Sequence, residues 1–256
     1  MNESEDAHVK HRRLKHLLRS TLGILKLNST YSLSRGISVL GLNIFPDSRP
    51  GPLKYRATYA LDYVLELRPE TVLDVGSGGG NHAQAFRKAG CKVTCIDYGT
   101  SIYAENAANE GVEVIHADFN SFESPRKYDL VWASHILEHQ RNPGQFIEKL
   151  LDVCAEGGHV CITVPDPHRN LWGGHVSLWT PGLLAYNVAL CGVDISDARF
   201  IRGSNEFSLV FKAKRVPVPA DLHYDYGDLE KLAKYLPEGF TENSDPWRVA
   251  YHARPE

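Results

Sequence analysis

What the chain lacks narrows it first. No apolar run in its 256 residues approaches the ~18 that a membrane-spanning helix requires, so no integral membrane segment is expected. No secretory apolar core opens it either, because Leu17-Leu18 is broken at once by Arg19 and Ser20. Cysteine is scarce and unpatterned: Cys91, Cys95, Cys154, Cys161 and Cys191 are odd in number and include no Cys-x-x-Cys pair. That argues against a disulfide framework or a zinc cage and points to reduced thiols in a cytoplasmic protein. Charge of one sign is lacking too: the net is −3, which leaves no molecule-wide basic field and no expected nucleic-acid partner. Internal repeats and low-complexity tracts are absent. What remains, 43% hydrophobic and 23% charged residues, is ordinary globular usage for one large domain or two small ones.

Three stretches follow from the punctuation. Residues 1–53 are expected to be an N-terminal helical extension and linker, closed by Pro46, Pro50, Gly51 and Pro52. Its basic run (Lys10, Arg12, Arg13, Lys15, Arg19) reads as a solvated helix face or frayed arm, the alternative being weak contact with an anionic membrane surface or acceptor. In residues 54–214 a helical pattern (Ala57, Ala60, Tyr63, Val64, Leu67) stops at Pro69, and strands and helices then alternate. Strands are expected at 72–75, 93–96, 112–115, 130–133 and 160–164, with helices near 80–89, 101–110 and 143–154. Such alternation implies a parallel sheet with helices on both faces. A helix at 181–191 precedes strands 195–202 and 206–214, whose short Gly203-Ser204-Asn205 turn makes them an antiparallel hairpin. Residues 215–256, with Pro217, Pro219, Pro237 and Pro246 and one short helix near 228–235, read as a wrapping extension.

The chemistry concentrates where the first strand ends. Thr71-Val72-Leu73-Asp74-Val75 runs into Gly76-Ser77-Gly78-Gly79-Gly80, and a helix opens at Asn81. Glycines there let a ligand approach the backbone and leave helix-terminal amides free. Asp97 closes the second strand, where a carboxylate accepts hydrogen bonds from both hydroxyls of a ribose. A nucleoside-bearing cofactor at the carboxyl edge of the sheet is implied. The dinucleotide fingerprint fails at its third glycine, because Asn81 stands there.

With Asp74, Gly76, Gly78 and Gly80 forming D-x-G-x-G-x-G, the chain resembles the class I (Rossmann-like) S-adenosylmethionine-dependent methyltransferases over residues 55–213. Further matches in order are Ala117-Asp118-Phe119, Tyr128-Asp129-Leu130-Val131, Leu137-Glu138-His139 and Gly157-Gly158. The resemblance implies S-adenosylmethionine as cofactor, on Asp74, Gly76, Ser77, Gly78, Gly80, Asp97, Tyr98, Asp118, Phe119 and Ser134. Asp118 would meet the adenine amino group and Phe119 the adenine face, while Asp74 orders the loop or receives the methionine ammonium through water. Asp129 reads as a structural strand residue.

The remaining candidates lie on the acceptor side. His135-Ile136-Leu137-Glu138-His139 satisfies a zinc-peptidase pattern, but that chemistry needs a continuous helix and Asn142-Pro143 cuts the segment short. No metal is therefore expected. Residues 166–180, with Gly173-Gly174 between Trp172 and Trp179, read either as a lid over the acceptor or as a loop whose tryptophans cap the core. The expected reaction is methyl transfer to a small-molecule or glycan-like acceptor, with oxygen favoured because the tetrapeptide of adenine or glutamine N-methylation is missing at Ser134-His135-Ile136-Leu137. His139 and His175 are the candidate general bases, beside the alternative that proximity alone suffices. A nicotinamide oxidoreductase and a non-catalytic cofactor-binding protein are the rival readings.

Overall fold

The computed structural model describes residues 57–100 and 111–252, leaving out the side chain of His252. The expected N-terminal extension and the helix at 101–110 lie outside the described residues.

The described residues build one seven-stranded sheet in the order β3-β2-β1-β4-β5-β7-β6. In chain order the elements are α1 (Thr58–Glu66), β1 (Thr71–Val75), α2 (Asn81–Lys88), β2 (Lys92–Asp97) and β3 (Glu113–His116). Then come β4 (Tyr128–Ser134), α3 (Pro143–Val153), β5 (Cys154–Pro165), α4 (Pro181–Leu190), β6 (Arg199–Arg202), β7 (Glu206–Lys212), α5 (Asp228–Leu232) and α6 (Pro246–His252). Strands β1 to β5 pair in parallel, and β7 enters antiparallel between β5 and β6. The fold is therefore the Rossmann-like sheet with a terminal antiparallel hairpin that the alternation required.

Side chains alternate across the strands, so each face of the sheet has its own core. Val72, Leu130, Trp132, Cys161 and Val210 pack beneath Leu61 and Val64 of α1 and Phe86 of α2. Leu73, Val75, Val131, Ala133, Val160 and Ile162 face the other way, onto Phe146 and Leu150 of α3 and Leu184 and Val188 of α4. Strands buried on both sides have no polar face to show, which is why they read as near-continuous apolar runs. From residue 215 onward the chain adds Leu232, Leu236 and Phe240 to this second core, with Trp247, Val249 and Tyr251 packed against it.

Three elements differ from expectation. The expected strand 195–202 begins only at Arg199, because Asp194 Oδ1 accepts from the Ser196 amide (3.1 Å) and hydroxyl (2.7 Å) and holds residues 195–198 in a turn. Strand β5 begins at Cys154 rather than 160, with the Gly157-Gly158 pair absorbed as a register shift opposite Tyr128 and Leu130. Helix α6 had no counterpart in the sequence reading, since seven residues hold too little periodicity.

Topology places the site. The chain runs outward from β1 through β2 to β3, then returns to β4 on the other side of β1, so the crossovers reverse between β1 and β4. A crevice opens at the carboxyl ends of strands at such a switch point.

Candidate functional site

Strand β1 delivers Gly76 to that crevice. Its amide donates to Ile96 O (2.8 Å) and its φ is 71°, in the left-handed region. A Cβ there would stand 2.9 Å from Ile136 Cδ1, so glycine lets the turn touch the segment that leaves β4. Gly80, at φ 71°, caps α2 without a side-chain hydrogen bond, and the Ala83 amide in the first turn of that helix donates to the Asp74 carboxylate.

Asp97 ties the first two strand ends together. One carboxylate oxygen accepts from Gly78 N (2.9 Å) and the other from Gly99 N (2.8 Å). Each oxygen keeps a further lone pair for a ribose hydroxyl. Asp118 sits beyond the neighbouring β3; its carboxylate accepts from the Asn120 amide (2.9 Å) and from the Tyr98 hydroxyl, and these bonds hold it below the ordinary carboxylate range. Tyr98 is exposed. Phe119 is 6% exposed and packs edge-on against Phe146, with centroids 5.4 Å apart, so much of its ring is already covered by the core.

Two buried polar groups in the crevice are unfinished. Asp74 is 2% exposed and its Oδ2 has no partner, while burial first, and then the Asp97 charge, push its pKa up to about 7. Ser134, one step past the Val75–Ala133 pair, has a buried hydroxyl without a partner.

Beyond β4 lies a second cluster. Residues 137–139 form a single 3₁₀ turn, as the Asn142-Pro143 break required. His135, at φ 55°, bonds Glu206 on β7 (2.6 Å) and stands 3.3 Å from Glu138 Oε1. Burial alone would lower its pKa, but the two carboxylates outweigh that and raise it to about 9. His139 Nδ1 donates to the Gly174 carbonyl (2.7 Å), which leaves Nε2 of the neutral ring unprotonated. His168 Nδ1 bonds Asn170 O (2.7 Å), so its Nε2 accepts from His175 Nδ1 (3.3 Å) and frees Nε2 of His175. The His139 and His175 rings meet edge-on, 4.9 Å between centroids. Burial lowers the pKa of His175, and so do the neighbouring His139 and His168 charges, against the opposing charge of Glu138.

The segment 166–180 thus does two things. Trp179 is 3% exposed and caps the core, while Trp172 stands half exposed and stacks on His168 at 3.8 Å. Leu171, Val176 and Leu178 beside it are exposed. A cleft of about 320 Å³ lined by Pro69, Asp129 and Gly157 lies at the opposite edge of the sheet and contains none of these groups.

The structure therefore brings the ten cofactor-side residues to one sheet edge and the two candidate bases to each other. Sequence reasoning gave no role to His168, Glu206 or the buried Glu138. Only the letters L-E-H hinted at Glu138. The family described as a methyltransferase domain matches residues 53–186. The ubiquinone biosynthesis O-methyltransferase of Serratia proteamaculans is 29% identical over 134 residues, 50% of this chain and 55% of that protein. That of Sodalis glossinidius is 30% identical over 132 residues, 47% and 53% of the two chains. This chain thus spans about half the length of these curated relatives. Among solved structures, a 1,6-didemethyltoxoflavin-N1-methyltransferase of Burkholderia thailandensis superposes with TM-score 0.51 at 16% identity, covering 78% of this chain and 90% of that one. An S-adenosylmethionine-dependent methyltransferase of Aquifex aeolicus gives 0.51 at 20% identity, covering 64% and 93%.

Proposed function

We propose that this chain, which belongs to the methyltransferase-domain family, transfers the sulfonium methyl of S-adenosylmethionine to a hydroxyl of a small molecule with a flat apolar or sugar-like face. The observation that carries the reading is Asp97, which joins the glycine turn at Gly78 and leaves lone pairs at the ribose position, with Asp118 beside it. Asp74 and Ser134, buried with unpartnered oxygens, supply acceptors for the methionine end of the cofactor. Tyr98 and Phe119 flank the adenine. That the curated relatives are O-methyltransferases supports oxygen as the nucleophile.

The reaction is an in-line displacement: an oxygen lone pair forms the new bond to the methyl carbon and the carbon–sulfur pair returns to sulfur. Holding donor and acceptor in contact supplies much of the rate. The hydroxyl must also lose its proton, and His139 and His175, each with Nδ1 engaged and Nε2 left facing the other's ring, are the side chains that ready it. The exposed Trp172, Leu171 and Val176 supply the acceptor's apolar contact. Among the described residues no helix is long and apolar enough to cross a membrane, and the described cysteines are all free. We place the reaction in the cytoplasm, on a small molecule and without a nucleic acid.

The test is titration with S-adenosylhomocysteine followed by single-turnover transfer to a panel of hydroxyl-bearing small molecules, read by mass spectrometry. S-adenosylhomocysteine should bind and NADH should not. His139→Ala and His175→Ala should slow transfer on the order of 10²–10⁴-fold with cofactor affinity unchanged. Binding of NADH in place of S-adenosylhomocysteine overturns the cofactor assignment, and near wild-type transfer by both variants removes the histidines from the chemistry.

A further inference from the structure

Among the described residues, one group of side chains has the composition and spacing of a metal site: Glu138, His139 and His175, each offering a donor atom within 4.8 Å of the others. The sequence reading expected no metal because a peptidase helix was impossible. The fold assembles the group differently, taking Glu138 and His139 from the turn after β4 and His175 from the segment after β5.

The carboxylate is the independent sign of a missing partner. Glu138 is 1% exposed, and neither of its oxygens makes a hydrogen bond. His135 bridges the two acids, facing Glu138 Oε1 through Nδ1 at 3.3 Å and Glu206 through Nε2 at 2.6 Å, and Glu206 also accepts from the Ala57 amide (2.5 Å). Glu138 Oε2 is left with no partner of its own. A buried carboxylate oxygen left so is costly unless a further donor or cation meets it. His139 Nε2 stands 3.9 Å from Glu138 Oε1.

Both imidazoles are also held the way metal ligands are held. Each donates its Nδ1 proton outward, His139 to the Gly174 carbonyl and His175 to His168, which fixes the tautomer with Nε2 unprotonated. Gly174, at φ 86°, makes the first of these possible, since a Cβ there would stand 3.1 Å from His139 Nδ1. Ligands on a tetrahedral ion with bonds of about 2.0–2.1 Å lie about 3.4 Å apart, so closure needs only small side-chain movement.

We infer that Glu138, His139 and His175 bind one divalent cation of the Zn²⁺ or Mn²⁺ kind, with a position left open for the acceptor oxygen. Two imidazoles and one carboxylate is a catalytic rather than a structural donor set. The inference rests on the methyl-transfer reading for its role: the cation takes the acceptor hydroxyl as a ligand, its proton passes to solvent water, and the oxygen left behind attacks the methyl carbon. His168 is a positioning residue that orients His175.

The test uses the full, untagged chain, stripped with chelator and titrated separately with Zn²⁺ and Mn²⁺, with bound metal counted by atomic emission and Mn²⁺ followed by its EPR signal. One ion per chain is expected. His175→Ala and Glu138→Gln should each weaken it by about 100-fold or more, and His168→Ala by about 10–100-fold. His175 lies on an irregular segment, so its variant is informative even where Glu138→Gln fails to fold, and S-adenosylhomocysteine titration checks that each variant is native. No bound ion, or an ion indifferent to His175→Ala, overturns the site. Transfer at full rate by the stripped enzyme overturns its role. If S-adenosylhomocysteine fails to bind while the ion is held as expected, the metal site stands and the methyl-transfer reading fails instead.

Discussion

Asp97 serves the free protein before any ligand arrives. Its carboxylate pins Gly78 and Gly99 and so shapes the turn that a cofactor would enter. Asp97→Ala should therefore lower S-adenosylhomocysteine affinity by about one to three decades, through the loss of charge-assisted bonds of roughly 1.5–3 kcal/mol each. Asp118→Ala should cost less, since adenine stacking survives, and calorimetric titration of both separates the two. Wild-type affinity in Asp97→Ala would place the ribose elsewhere. Asp74 predicts a pH dependence. Its folded pKa, about 7, lies above the ordinary 3.8, so between these values the fold keeps a proton that the unfolded chain has released. The stabilisation from protonated Asp74 is complete below about pH 4 and is lost as pH rises through about 7. At about 1.36 kcal/mol per unit the effect is at most about 4 kcal/mol. Urea midpoints should accordingly show a flatter profile for Asp74→Asn over that range and a more stable variant at about pH 8. An unchanged slope in Asp74→Asn would mean that its carboxylate is ionised throughout.

At the scale of elements, the same strand motif holds both a structural and a functional acid. Asp129 opens β4, and its Oδ2 accepts from Glu70 N (3.2 Å), Thr71 N (2.9 Å) and Thr71 Oγ1 (2.8 Å), fastening the start of β4 to the start of β1. The structural reading of this residue holds. Because the fastening is at the edge away from the crevice, Asp129→Ala should lower stability by about 2–4 kcal/mol and leave S-adenosylhomocysteine affinity intact. A loss of affinity equal to that of Asp97→Ala would mean that strand alignment governs the pocket. Such strand-end acids were legible because they sit within a few residues of the apolar runs that define β1, β2 and β4. The meeting of His139 with His175 was not. It depends on a segment of irregular backbone between β5 and α4, anchored by Arg202 on Asp166 (2.7 Å) at one end and by the Thr180 cap of α4 at the other. No periodicity in the sequence encodes that path.

At the scale of the whole molecule, the sheet order followed from short parallel connections and one hairpin, while the covering of its second face depended on residues far along the chain. Phe240 is 5% exposed and packs on Phe200 with centroids 5.5 Å apart; Trp247 packs edge-on against Phe207 at 5.4 Å and lies under the Arg202 guanidinium at 4.7 Å. Few of these residues fall in a run long enough to show a period, so the sequence marked the stretch only as an extension. Its contribution can be set against that of the cofactor. Phe240→Ala removes a buried ring from the core and should cost about 3–5 kcal/mol. S-adenosylhomocysteine at 100 times its dissociation constant should return about 2.7 kcal/mol to any form of the protein that folds the Gly76–Gly80 turn. The variant should therefore melt well below the wild type when free, by roughly 6–20 °C on a scale of about 2–4 °C per kcal/mol, and saturating ligand should recover part of the loss but not all of it. Differential scanning calorimetry of both proteins, with and without ligand, measures the four values needed. Equal ligand-induced shifts mean that the C-terminal packing and the cofactor crevice are energetically independent. A shift abolished by Phe240→Ala would show instead that the second core holds the crevice in its binding shape.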